Sequence, residues 1–216
     1  MTGRRIVVGG HSRGVGKTAL VVALVRAMAP RPVVTVKVSA HRHGHGHLAI
    51  EEDTVADPAT STGRCLAAGA ARAFLCRCPD GRLHEVAVLV RVLSAGGYDV
   101  VVESNRMAPL VAADLTLFVA SAHTDDWKAS SALCLPRADA LVLAAGTGAR
   151  AKARRMAERH RRGTVPVLRF DQSWRIAGLA RWVDLVAPVA APASASGLGA
   201  RRAVPTHGGA SGLAAS

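Results

Sequence analysis

Short runs of hydrophobic residues recur from Arg5 to Phe170, and longer stretches with helical spacing separate them. Seven runs predict β-strands: Arg5–Val8, Val33–Val38, Ala73–Cys78, Asp99–Glu103, Leu115–Ala120, Ala140–Ala144 and Pro166–Phe170. Because these runs are mostly apolar throughout rather than alternating, we expect strands that are covered on both faces. Such strands are typical of a mainly parallel sheet between two layers of helices.

The intervals between these strands carry the spacing of helices. The five predicted helices are Lys17–Met28, Thr62–Ala68, His84–Ala95, Ala149–Arg162 and Ile176–Ala187. Regular alternation of strand and helix predicts an α/β fold, namely a three-layer sandwich around a mainly parallel central sheet.

The domain organisation follows from length and composition. The chain has 216 residues, half of them hydrophobic, which is enough for one domain with a full core. We assign residues 1–187 to this domain. Residues 188–216 are rich in Ala, Ser, Gly and Pro, so we expect a disordered tail there.

The net charge of +13 is unevenly distributed, because much of it falls in the predicted helix Ala149–Arg162. A solvated helix face explains such a run, and we do not expect nucleic-acid binding. The four cysteines show no spacing typical of a disulfide framework, which indicates a reduced, cytoplasmic protein. No apolar run approaches the ~20 residues of a membrane helix, so we expect no membrane span.

The segment after the first strand has the features of a phosphate-binding loop. The residues that we assign to nucleotide binding there are Gly10, His11, Ser12, Arg13, Gly14, Val15, Gly16, Lys17 and Thr18. In a P-loop (Walker A), backbone N–H groups surround the phosphates, the lysine contacts them, and the hydroxyl binds Mg²⁺. Here five residues separate Gly10 from Gly16, one more than usual. We call Gly10–Thr18 the phosphate loop and expect a P-loop NTPase sandwich.

Two further strands end in charged residues that belong near this loop. Lys37 is the last residue but one of the second predicted strand, and Glu103 ends the fourth. Ligands collect at the carboxyl ends of the strands in open α/β sheets. We therefore expect Lys37 to contact the nucleotide and Thr18 and Glu103 to bind Mg²⁺. The alternative is that Glu103 is a solvent-facing acid without a ligand.

Together with the phosphate loop, three segments resemble the molybdopterin-guanine dinucleotide biosynthesis protein B family. They read VVTVKVSAHRHGH, STGRCLAAGAARAFL and YDVVVESN, and the resemblance covers roughly Arg5 to Ala120. It implies a GTP-binding accessory protein of molybdenum cofactor biosynthesis that hydrolyses GTP slowly and assists a partner enzyme. It also places Lys37 and Glu103 at the family's strand-end lysine and glutamate.

The sequence departs from this family at two places. Ser61 stands where relatives often carry a carboxylate, and Asp57 is near that position but out of register. Ser104 and Asn105 replace a glycine. We therefore expect slow hydrolysis. The segment LVLAAGTGA lacks the usual guanine-binding residues, so GTP is favoured over ATP by the resemblance alone.

Four histidines alternate with Arg and Gly after the second strand, at His41, His43, His45 and His47. In an extended chain their imidazoles lie on one side. Three interpretations stay open: the histidines bind a second metal, they contact an anionic substrate, or the segment is a solvated mobile loop. A P-loop metallochaperone is therefore one alternative function. Another is an ATP-dependent enzyme, because the Gly-x5-Gly-Lys-Thr form resembles the loop of dethiobiotin synthetases. The sequence also leaves open whether the chain forms a homodimer.

Overall fold

Eight β-strands form one sheet in the computed structural model, which describes residues 2–40, 47–121, 126–143, 165–171, 173 and 175–187. The strands are β1 (Arg5–Gly10), β2 (Val33–Ser39), β3 (Ala49–Asp53), β4 (Arg72–Arg77), β5 (Asp99–Glu103), β6 (Leu115–Ala120), β7 (Ala140–Leu143) and β8 (Val167–Arg169). Their order across the sheet is β3-β4-β2-β5-β1-β6-β7-β8. All neighbouring strands are parallel except β3, which runs antiparallel to β4.

Helices cover both faces of this sheet. The described helices are α1 (Lys17–Ala27), α2 (Ser61–Ala67), α3 (Leu83–Ala95), α4 (Ser131–Cys134) and α5 (Leu179–Val186). Buried side chains of α1, α2 and α5 pack on one face, and those of α3 and α4 pack on the other. The predicted three-layer α/β sandwich with a mainly parallel sheet is therefore confirmed.

The predicted strands are all present, with ends that differ by at most two residues. The sequence did not predict β3, because this edge strand is largely exposed and carries the acids Glu51, Glu52 and Asp53 instead of an apolar run. Four predicted helices are present, although α5 begins at Leu179 rather than Ile176. The predicted helix Ala149–Arg162 and the predicted tail at residues 188–216 lie outside the described residues.

A buried charge network joins the amino ends of β1 and β5. Asp99, the first residue of β5, accepts hydrogen bonds from the Arg4 guanidinium at 2.8 and 3.1 Å and from the Arg31 guanidinium at 2.6 and 2.9 Å. Arg4 also donates to the exposed Asp184 of α5 at 2.6 Å. Although burial alone raises the pKa of Asp99, hydrogen bonds from Arg31 and Arg4 outweigh this effect and hold the pKa below its ordinary value. The network ties α5 to the sheet.

All four cysteines are buried free thiols. Burial raises the pKa of Cys65 to about 11 and the pKa of Cys134 to about 12, so both stay protonated at neutral pH. Cys76 lies within β4, and Cys78 follows its end. Of the helices in the described ranges, none is both long and apolar enough to cross a membrane.

Candidate functional site

The phosphate loop leaves the sheet at Gly10 and returns as α1 at Lys17. Gly16 precedes the helix with a φ of 100°, a conformation that glycine adopts without strain. Because a glycine in this position has no side chain to cap the helix, the first N–H groups of α1 are open to a ligand. These N–H groups and the helix dipole favour an anion at the start of α1.

Asn105, which the sequence did not single out as a site residue, forms hydrogen bonds with both backbone polar groups of Gly10, the first residue of the phosphate loop. The Gly10 N–H donates to Asn105 Oδ1 at 2.8 Å, and Asn105 Nδ2 donates to the Gly10 carbonyl at 2.8 Å. Asn105 Nδ2 also donates to Ser130 Oγ at 3.2 Å. A Cβ on Gly9 would lie 2.5 Å from Asn105 Oδ1, so only glycine allows this close approach.

Replacing Asn105 with alanine is expected to lower the free energy of unfolding by about 1–3 kcal/mol, because the N–H and the carbonyl of the buried residue Gly10 both lose a partner. Chemical denaturation followed by circular dichroism measures this loss. Ser130→Ala removes only the 3.2 Å contact and serves as the control. If the two variants were equally stable, Asn105 would not brace the loop.

His11 is one of the five residues between Gly10 and Gly16 in the phosphate loop, and its side chain points into the protein interior. Its side chain is fully buried, and its ring centroid lies 4.7 Å from that of Trp127. Its carbonyl accepts hydrogen bonds from the Lys128 N–H at 2.9 Å and from Ser131 Oγ at 3.0 Å. The extra residue is therefore accommodated by packing against the segment that leads into α4.

Lys17 folds back over the phosphate loop, where its Nζ donates to the Ser12 carbonyl at 2.6 Å. Burial lowers the pKa of Lys17 below its ordinary value, while the Glu103 carboxylate opposes this shift. The ammonium groups of Lys128 and Lys37 lower the pKa further. A phosphate at this place would favour the charged form of Lys17 and replace the carbonyl as its partner.

Glu103 lies at the centre of a polar cluster above the sheet. Thr18 Oγ1 donates to Glu103 Oε2 at 2.8 Å, and Lys37 Nζ lies 3.3 Å from Glu103 Oε1. Lys37 Nζ also donates to Ser61 Oγ at 2.6 Å. Lys37 and Glu103 are register partners on the parallel strands β2 and β5, so their side chains leave the sheet on the same side.

The oxygens of Thr18 and Glu103 fit the requirements of Mg²⁺. This ion takes oxygen ligands, keeps several waters, and is commonly held by one or two carboxylates together with substrate phosphates. The hydroxyl and the carboxylate are adjacent, at 2.8 Å, beside the start of α1. Within the described ranges, no group of three or more His, Cys, Asp or Glu side chains could hold a metal by itself. A Mg²⁺ ion held by Thr18 and Glu103 would take its other ligands from water and from the phosphates of a bound molecule.

A cleft of about 1300 Å³ opens over the phosphate loop and the ends of β2 and β5. Among the described residues, seven Lys or Arg residues line the cleft and Glu103 is the single acid. Arg13 is exposed and is one of these cations, whereas Val15 is buried beneath the loop. The cleft therefore attracts a polyanion.

The other acids near the cleft hold the start of α2. Thr62 Oγ1 donates to Asp53 Oδ2 at 2.8 Å, and the Ala59 N–H donates to Asp57 Oδ1 at 2.8 Å. The missing family carboxylate at Ser61 is thus not supplied by Asp57, which is engaged in a local turn. His47 is exposed, and the predicted ligands His41, His43 and His45 lie outside the described residues.

Comparisons with known proteins assign no family to this chain. No family model matches, and no curated protein matches either. A solved structure with a similar backbone is the "apo" form of LpxK from Aquifex aeolicus in complex with ATP. It shares 17% identity, with 78% of this chain and 54% of that chain covered, at a TM-score of 0.45. The chain thus spans about half the length of that protein, and a similarity of this size supports no argument about function.

Proposed function

We propose that the chain binds a purine nucleoside triphosphate with Mg²⁺ at the phosphate loop. The observation that carries this proposal is the meeting of Lys17, Thr18 and Glu103 at the open start of α1, beneath a cleft lined mainly by cations. Backbone N–H groups would hold the phosphates, Lys17 would neutralise them, and Thr18 and Glu103 would hold Mg²⁺. Lys37 would contact the terminal phosphate from the neighbouring strand.

We further propose that the nucleotide is GTP and that the chain assists a partner protein in molybdenum cofactor biosynthesis. The support is the resemblance of the segments around Lys37, Ser61 and Glu103 to the molybdopterin-guanine dinucleotide biosynthesis protein B family. A cytoplasmic location is part of the same proposal, because four buried free thiols are typical of a reducing compartment. Separate titrations with GTP and ATP test the base preference.

Hydrolysis by the isolated chain is expected to be slow. Ser61 places a hydroxyl, hydrogen-bonded to Lys37, near the position where the family that the sequence resembles often has a carboxylate, and a neutral hydroxyl is a poor base for an attacking water. A missing water-positioning group or arginine finger lowers phosphoryl transfer by about 10³–10⁵. Single-turnover assays with GTP and ATP, with protein in excess, measure the step. A rate near the ~1–100 s⁻¹ of kinases would contradict an accessory role.

Glu103→Gln is expected to reduce the gain in nucleotide affinity that Mg²⁺ provides by about tenfold or more, because a charged metal ligand is lost. Binding without Mg²⁺ should remain, since Lys17 and the backbone supply it. Titrations with and without Mg²⁺ separate these terms. Glu85→Gln, on α3 at the other face, is the matched control. An unchanged Mg²⁺ gain in Glu103→Gln would make Glu103 a structural residue.

A further inference from the structure

The cleft extends beyond the phosphate loop into a groove between α1 and α2. Ala19, Val22, Ala23 and Arg26 line it from α1, and their spacing of three and four residues places them on one helix face. Arg64 and Ala67 line it from α2, one turn apart. We call this part of the cleft the α1–α2 groove.

The α1–α2 groove combines an apolar wall with two arginines. The half-buried Val22 and Ala23 and the exposed Ala67 supply the wall, and Arg26 and Arg64 are also exposed. Within the part of the chain that the structure describes, neither arginine forms a salt bridge, whereas the half-buried Arg72, Arg77 and Arg82 pair with acids. A groove of this kind suits a molecule that is apolar along its length and anionic at one end.

The length of the groove separates its ligand from the nucleotide phosphates. Thr18 and Arg26 are eight residues apart on α1, or about 12 Å along the helix axis. Phosphates held at the start of α1 therefore leave Arg26 without a partner. The near end of the groove reaches Lys37, which lines the same cleft as Arg64 and Ala67.

We propose that the α1–α2 groove binds a second ligand, a small organic phosphate or carboxylate with a short hydrocarbon portion. Its anionic group lies between Arg26 and Arg64, its hydrocarbon portion contacts Val22 and Ala67, and its other end faces Lys37. This inference rests on the proposed function, since it takes the phosphate loop to be filled by a nucleotide. It makes the chain a two-ligand protein with both ligands in one cleft.

Hexyl phosphate is a suitable probe, with 1-hexanol and inorganic phosphate as probes that lack the anion and the hydrocarbon. The protein is saturated with Mg²⁺ and a non-hydrolysable GTP analogue, and isothermal titration calorimetry measures each probe. We expect hexyl phosphate to bind and both partial probes to bind at least about tenfold more weakly. The double variant Arg26→Ala/Arg64→Ala should weaken hexyl phosphate binding about tenfold, because exposed guanidiniums contribute modestly one by one.

Arg91→Ala, at an exposed arginine of α3 on the opposite face, is the matched control and should bind hexyl phosphate as the wild type does. Equal affinities in the double variant and the control would overturn the proposal, as would a failure of hexyl phosphate to bind the protein that is saturated with the GTP analogue. Occupancy by the analogue is measured first in the same samples. If the analogue does not bind, the proposed function fails, while the Arg26/Arg64 comparison still tests the groove.

Discussion

Lys17→Ala is expected to weaken binding of Mg²⁺-GTP and Mg²⁺-ATP by about 10- to 100-fold. The variant removes the half-buried ammonium group that would contact the phosphates, and a charge-assisted hydrogen bond of this kind contributes about 1.5–3 kcal/mol. The Lys17 ammonium donates to the neutral Ser12 carbonyl, a partner that a phosphate would replace with a charged one. Titration with a fluorescent nucleotide measures the effect.

Arg91→Ala serves as the control for this prediction, since it also removes one positive charge but lies on α3, away from the cleft. Its nucleotide affinity should match that of the wild type at the same ionic strength. Circular dichroism should show that both variants are folded. Equal nucleotide affinities for Lys17→Ala and Arg91→Ala would show that the nucleotide does not bind at the phosphate loop.

Asp99→Asn is expected to lower the free energy of unfolding by about 3 kcal/mol. Asp99 is fully buried and receives hydrogen bonds from Arg4 and Arg31, and Arg4 is itself buried. Removing the carboxylate leaves the positive charge of the buried Arg4 with less compensation. Breaking a buried ion pair in this way costs about 3–5 kcal/mol. Denaturation by urea at neutral pH measures the loss.

Asp184→Asn is the control for this network, because Asp184 contacts the same Arg4 but is largely exposed, so a much smaller loss is expected.

The network also predicts that the stability of the protein depends on pH. The pKa of Asp99 is lower in the native protein than its ordinary value, so its stabilisation is complete at neutral pH and is lost as the pH falls below about 4. Asp99→Asn should lack this component. An identical acid dependence in wild type and variant would contradict the assignment.

The sequence predicted the sheet well because its central strands are buried on both faces. Val100 to Val102 are apolar, as is Leu115–Ala120 except for Thr116, and the bounds of both strands, Asp99–Glu103 and Leu115–Ala120, match the predictions. The edge strand β3 was missed for the opposite reason. Its side chains are mostly exposed, and Glu52 and Glu51 pair with Arg72 and Arg77 on the neighbouring strand β4 instead of entering a core.

The site was predictable where local sequence determines geometry. Glycines before Lys17 and Thr18 indicate a turn into a helix, and strand ends place Lys37 and Glu103 at one sheet edge. Asn105 was not predictable in this way, because its contacts with Gly10 join residues 95 positions apart. Its signal was present only as the replacement of a glycine after the strand-end glutamate.

The α1–α2 groove could not be predicted from the sequence either. Arg26 and Arg64 each fit an ordinary exposed helix position, and only the packing of α1 beside α2 brings both to one groove. The interior position of His11 likewise depends on its contact with Trp127, which is far from it in the sequence. Long-range packing of this kind leaves no pattern in a local stretch of residues.

A crystal structure of the protein with Mg²⁺ and a non-hydrolysable GTP analogue tests the central claim most directly. We expect the phosphates at the phosphate loop, with Lys17 moved from the Ser12 carbonyl to a phosphate oxygen. Mg²⁺ should lie between the phosphates and the oxygens of Thr18 and Glu103. A nucleotide bound elsewhere, with Lys17 still on Ser12, would contradict the account.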